Sequence, residues 1–218
     1  MNHRTPNLPY GVIGSVKRLK LGKETRVGGV TEAMDKSIGR PILVMKGPVS
    51  ANNYVDYEQI SLTGRYLSVQ LKVEQGSVAT FHLEVVSTKD VTIRITVSTL
   101  YDEPRFLGRS LRLPLVARED WTVLVMDLEE ILTRHCQLQP ARPGQSVLQA
   151  VKRVQLCSNM SVREVVTSNT DHYMGRRSLP KDLQVKRGAD VVWNKLPRPA
   201  RDDVAVPPPP PRDATNET

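Results

Sequence analysis

Aromatic side chains are scarce: 5% of 218 residues, with two Phe and two Trp. That argues against a stacking platform for single-stranded nucleic acid or sugar rings. Cysteine is scarcer still. Cys136 and Cys157 are the whole complement, which excludes a disulfide framework and a four-cysteine zinc site. Long apolar runs are missing too. The best, such as Val123-Leu124-Val125-Met126, has four residues, where a helical membrane span needs about 20. The opening Met1-Asn2-His3-Arg4-Thr5-Pro6 has no apolar stretch behind it, so no secretory signal is expected. The expectation is a soluble intracellular protein with free thiols. A hydrophobic share of 39% lies below that of a fully packed globule, so part of the chain is not core.

Catalytic signatures are equally absent. No glycine-rich turn leads into a Lys-Ser/Thr helix start, Gly28-Gly29 reads as a bend, and no nucleophile elbow occurs. His3, His82, His135 and His172 show no metal-ligand spacing. His82 alternates outward on a strand and reads as a surface residue. His135-Cys136 ends a helix, where a histidine suits the local dipole better than a catalytic dyad. Cys157 sits in an apolar strand and reads as buried filler. Asp102-Glu103 and Glu119-Asp120 are neighbours in sequence and diverge on a strand or turn, so neither pair straddles a scissile bond. Glu129-Glu130 is accounted for by helix polarity. Asn159-Met160-Ser161 and Asn216-Glu217-Thr218 match the glycosylation triplet but carry no meaning without secretion. The residues point to a binding or structural module, with no enzyme, cofactor, metal or small-molecule substrate expected.

Charge is present and unevenly placed. The net is +8. Residues 1–40 carry eight basic and three acidic groups, a net of +5. Residues 41–174 carry fourteen of each, and residues 175–218 carry nine basic and six acidic groups, a net of +3. An excess confined to the two ends implies basic arms that attract an acidic partner; the plain alternative is that they aid solubility. Seven prolines fall between Pro197 and Pro211, five of them consecutive. Such a run adopts an extended left-handed helix and reads as a stiff spacer or disordered end.

Between the ends the hydrophobic period is two. Leu67, Val69, Leu71 and Val73 alternate with Ser68, Gln70 and Lys72; Phe81, Leu83 and Val85 alternate with His82 and Glu84; Val91, Ile93, Ile95 and Val97 alternate with Thr92, Arg94 and Thr96. These are strands with one buried face. Gln75-Gly76-Ser77 and Thr88-Lys89-Asp90 separate them, which predicts an antiparallel meander. Further strands are expected over 41–46, 53–57, 111–116, 121–127, 151–157 and 162–167. The 121–127 segment is apolar on both faces and reads as a central strand. One helix is expected, from Asp127 to His135, with acids first, bases last and Leu128, Ile131, Leu132 and His135 on one stripe. The fold class is mainly β: an antiparallel, jelly-roll-like β-sandwich with one short helix. The expected divisions are a basic arm over 1–37, a sandwich over 38–174 and a basic, proline-rich, largely disordered tail over 175–218.

One set of motifs carries a resemblance. Lys46-Gly47-Pro48-Val49-Ser50-Ala51-Asn52-Asn53-Tyr54-Val55 precedes Leu62-Thr63-Gly64-Arg65-Tyr66-Leu67. Later come a strand carrying Arg94, the step Leu113-Pro114-Leu115, Trp121 opening a strand, Asp127-Leu128 at the helix start, and a late strand over Val154–Asn159. In this order they resemble the cilia- and flagella-associated protein twenty domain, in the version at the N-terminus of the large WD-repeat protein of the centriole wall. The resemblance covers about residues 30–185 and is poor over the first forty. It implies a jelly-roll-like sandwich and no catalysis. It also implies a place at the inner junction of a ciliary doublet or centriolar triplet, in an axoneme or basal body, against tubulin and neighbouring scaffold proteins.

Tubulin is acidic, so Lys17, Arg18, Lys20, Arg176 and Arg177 in the arms become candidate contacts whose attraction salt would screen. Arg65, Arg105, Arg109 and Arg112 become candidates for charge-assisted contacts, against the plain reading of ordinary surface arginine. The expected role is a non-enzymatic, cytoskeletal microtubule-binding protein, with no membrane or nucleic-acid partner. The rival readings are a nucleic-acid-binding or a carbohydrate-binding β-sandwich adaptor.

Overall fold

The computed structural model describes residues 11–14, 22–49, 52–116, 119–173, 183–185 and 191–197. Two sheets contain all the strands among them. The first runs, in spatial order, β14 (Val192–Leu196), β11 (Thr122–Asp127), β6 (Tyr66–Val73), β13 (Met160–Ser168), β4 (Arg40–Met45) and β3 (Val30–Asp35), with β1 (Gly11–Gly14) also on β13. The second runs β2 (Lys23–Val27), β5 (Tyr54–Glu58), β12 (Leu148–Ser158), β7 (Ala79–Ser87), β8 (Thr92–Ser98), β10 (Ser110–Pro114) and β9 (Arg105–Leu107).

The period-two segments supply the core. Leu67, Val69, Leu71, Leu124 and Met126 of the first sheet share one cluster with Phe81, Leu83, Ile95, Leu111 and Leu156 of the second. Each large apolar side chain buried this way contributes roughly 1.5–3 kcal/mol. A β-sandwich is the result. β11 is buried at every position, as its two apolar faces required. Helix α1 (Leu128–Arg134) packs Leu128, Ile131 and Leu132 into the same core. Asp127 caps it, accepting from the Glu130 amide at 3.1 Å, and His135 forms the C-cap.

Three expectations change. The strands β6, β7 and β8 do not form a meander. β7 pairs with β8, but β6 pairs with β11 and β13, and the turn at 74–78 carries the chain from one sheet to the other. A tight turn fixes reversal of direction, whereas pairing depends on where the remote strands β12 and β13 insert. Two pairs, β8–β10 and β11–β14, are parallel, in sheets otherwise antiparallel. And pairing extends beyond 38–174: β1, β2 and β3 join the sheets from the N-terminal side and β14 from the C-terminal side. β2 and β3 lie at sheet edges and are largely exposed or half-buried, so their polar sequence resembles that of an arm.

The motifs behind the resemblance also find a physical reason. Asn53 is 3% exposed. Its Oδ1 accepts from the Gly29 amide at 3.0 Å, and its Nδ2 donates to the Val49 carbonyl at 3.0 Å and toward Asn159 Oδ1 at 3.4 Å. Asn159 Oδ1 accepts from the Gly47 amide at 3.1 Å. A Cβ on Gly28 or Gly47 would collide with the Asn53 side chain. The Gly28-Gly29 bend and the backbone at Gly47 and Val49 therefore close around one buried amide. At Gly64 a Cβ would lie 2.5 Å from the Ser168 amide nitrogen, so glycine lets the entry to β6 pass close to β13.

Candidate interaction surface

The second sheet is divided by charge. Arginines in β2 and β12 are satisfied within the fold. Arg26 bonds Glu24 at 2.5 Å and Glu32 at 2.9 Å. Arg153 pairs with Asp56, with Glu58 at 3.3 Å and with Glu84 at 3.4 Å. Asp56 is 4% exposed, and a carboxylate so far from water needs such a partner. The other half, β8, β10 and β9, contains no Asp or Glu and three arginines, Arg94, Arg112 and Arg105.

These three share the outer face. Ile93, Ile95, Leu111 and Leu113 point into the core and Phe106 packs against it, so Arg94, Arg112 and Arg105 point away. In the register Arg105 stands directly opposite Arg112, and Arg94 lies beside Ser110, two positions along β10. Arg109 occupies the turn from β9 to β10, its carbonyl accepting from the Arg94 amide at 2.9 Å. All four are exposed, and none makes an ion pair among the described residues. The Arg112 guanidinium lies 5.5 Å from the Tyr101 ring centroid.

Arg65 sits elsewhere and has a different task. Its Nε and Nη2 donate to both carboxylate oxygens of Asp127 at 2.7–3.2 Å. That hydrogen bonding raises the Arg65 pKa. The Asp127 side chain is 4% exposed, and that of Arg65 is 49% exposed. Lys17, Arg18, Lys20, Arg176 and Arg177 lie outside the described residues. Among the candidate contacts, then, the structure brings Arg105, Arg109 and Arg112 together and separates Arg65. It adds Arg94, whose outward alternation was readable but whose neighbours depend on strand register.

Several other titratable groups among the described residues are buried or bonded within the fold. His82 is half-buried, not a free surface residue, because Thr96 of β8 stands beside it, with Nδ1 2.9 Å from Thr96 Oγ1. Burial, with Arg94 and Arg153 near, lowers its pKa to about 4. Burial pushes the Cys136 and Cys157 thiols up to about 11, which leaves both protonated at neutral pH. Glu129 does more than match helix polarity: it accepts from the Val147 amide at 2.7 Å, the Ser146 hydroxyl at 2.6 Å and the Leu148 amide at 3.2 Å. No group of three or more His, Cys, Asp or Glu able to hold a metal ion occurs among the described residues. No helix among them is long and apolar enough to cross a membrane.

Known proteins align with this sequence. The CFA20 domain matches residues 11–187. Centriole proteome protein 16 of Chlamydomonas reinhardtii is 33% identical over 179 residues, covering 76% of this chain and 8% of that protein. WD repeat-containing protein 90 is 26% identical over 177 residues in Xenopus tropicalis and 27% over 167 residues in Homo sapiens. Each of those alignments covers 67% of this chain and 9% of the relative. The chain thus spans less than a tenth of the length of these relatives. The domain match begins at residue 11 and takes in β1, β2 and β3, earlier than the start near residue 30 that the motifs implied. The chain belongs to the CFA20 domain family.

Proposed function

We propose that this chain is a non-enzymatic structural module of the centriole or cilium that binds microtubules at the doublet or triplet inner junction. The observation that carries the reading is the CFA20 domain match across residues 11–187, which spans both sheets, in a chain similar to a protein named for the centriole proteome. The fold's chemistry suits that role. Among the described residues, Arg26, Arg65 and Arg153 are engaged in ion pairs that hold elements together, whereas Arg105, Arg109 and Arg112 make none and lie together at an exposed sheet face. Arg105, Arg109 and Arg112 are the folded contacts for tubulin. Lys17, Arg18, Lys20, Arg176 and Arg177 add attraction that salt screens.

Co-sedimentation of the full chain with microtubules at about 0.15 M salt tests the reading, and a tagged copy in ciliated cells tests the location. The expected result is pelleting with intact microtubules and signal at centrioles or ciliary bases. A chain that stays in the supernatant at every microtubule concentration overturns the proposal.

A further inference from the structure

We propose that the outer face of β8, β10 and β9 is a docking surface for a glutamate-rich extended peptide, held by Arg94, Arg105 and Arg112 with Arg109 at its rim. The inference rests on the microtubule reading for the partner's identity, since tubulin is acidic. Its chemistry rests on the arginines.

Arg105 and Arg112 face one another across a strand pair. Like charges directly opposite in a sheet are destabilising. The fold has a remedy and applies it elsewhere in the same sheet, where Arg153 is surrounded by Asp56, Glu58 and Glu84. β8, β9 and β10 contain no carboxylate; Glu84 of β7 stands opposite Arg94, but only like charge stands opposite Arg105 and Arg112. Asp102 and Glu103, in the turn before β9, make no ion pair among the described residues. The repulsion is relieved when carboxylates arrive from outside.

The spacing suits a peptide. Adjacent strands lie about 4.8 Å apart, so three of them present a stripe about 10 Å wide. Side chains on one side of an extended chain recur about every 7 Å, within reach of long arginines. Guanidinium and carboxylate then meet in paired, charge-assisted hydrogen bonds. Nucleic acid fits less well. The aromatic ring at this face, Tyr101, already lies against Arg112, which leaves no open stacking surface for bases.

The experiment is fluorescence anisotropy of a labelled Glu-Gly repeat peptide with the full chain and with Arg105→Gln/Arg112→Gln. Microtubule pelleting of both proteins runs in parallel. The double variant is expected to bind the peptide about ten-fold more weakly. Arg105→Lys/Arg112→Lys is expected to keep much of the affinity because the charge remains. The double Gln variant should melt no lower than the parent, since it loses a repulsive pair. If it does not fold, Arg94→Gln supplies the same reading from β8.

Unchanged peptide affinity in a folded variant overturns the docking surface and assigns peptide binding to basic segments elsewhere. Unchanged affinity with new self-association identifies the arginines as protection of the β9 edge, and also overturns it. Single-stranded DNA that outcompetes the peptide and loses affinity equally makes the face a nucleic-acid site, and the peptide proposal falls. If the parent fails to pellet with microtubules but the peptide still needs the arginines, the microtubule reading falls and the docking surface stands. If the parent pellets and the peptide ignores the arginines, the reverse holds.

Discussion

At the scale of single residues, buried polar atoms decide what can be substituted. Asn53→Ala removes the acceptor of the Gly29 amide and both donors of the amide group. A buried donor left without a partner costs about 1–3 kcal/mol, and thermal melting of the variant should show a loss of that size. A melt within a degree or so of the parent would mean that water replaces the side chain. His82 gives a pH signature. In the unfolded chain its imidazole gains a proton near the ordinary value of 6.5, whereas in the folded protein protonation waits until about 4. The unfolded state binds the extra proton in that window, so stability falls as pH drops from about 6.5 toward 4. Burial also lowers the His135 pKa, which acts in the same direction. Urea midpoints measured at about pH 7 and about pH 5 should therefore converge partly, not fully, in His82→Gln. Alternation alone turns His82 outward, and that much was readable. Its lowered pKa comes from partial burial and from the charges of Arg94 and Arg153, with Thr96 bonded to it across a strand pair, and no local pattern encodes those neighbours.

At the scale of elements, one ion pair joins three of them. Asp127 ends β11 and caps α1, and Arg65 grips it from the entry to β6, while the Arg65 carbonyl accepts from the Leu128 amide at 3.0 Å. Arg65→Ala leaves a carboxylate that is 4% exposed without its countercharge. Breaking a fully buried pair costs about 3–5 kcal/mol; with half the guanidinium in water, about 1–3 kcal/mol is expected here. Arg65→Lys should recover part of that loss, because an ammonium cannot hold both oxygens as the fork does. Denaturant unfolding of both variants reads the difference, and equal stability of all three proteins would show the pair to be idle. The strands β4 to β8 and β10 to β13 and the helix were legible from sequence pattern, and so was the Asp127 cap, whereas β1, β2, β3, β9 and β14 were not. The sheet change between β6 and β7 was not. Gln75-Gly76-Ser77 encodes a turn, while the partner of each strand is chosen by β12 and β13, far later in the chain. The same distance hid the cationic face, since Arg94, Arg105 and Arg112 become neighbours only through a parallel pair and an edge hairpin.

At the scale of the whole molecule, the sandwich closes only with segments from both ends. β3 pairs with β4, β2 pairs with β5, and β14 pairs with β11. Val30 and Leu196 pack in or against the main core. A chain cut to residues 38–174 would lose four strands and expose the edges of β4, β5 and β11, and exposed edges promote aggregation. Circular dichroism should show such a chain melting well below the full protein or failing to fold. A cooperative melt at the parent's temperature would demote β1, β2, β3 and β14 to appendages. The polar composition of β2 and β3 explains why a reading by charge assigns them to an arm: an edge strand is built from the same residues as a solvated segment.

The uneven neutralisation of the second sheet has a directional consequence. One flank cancels its charges internally and the other leaves them bare, so the sheet behaves as a compass needle in an external field. Before any contact forms, a negatively charged filament exerts a torque on it and turns the bare flank inward. Copies arriving one after another would settle with the same heading. A periodic assembly could then acquire polarity from the module's electrostatics, without a separate factor to point each copy the right way.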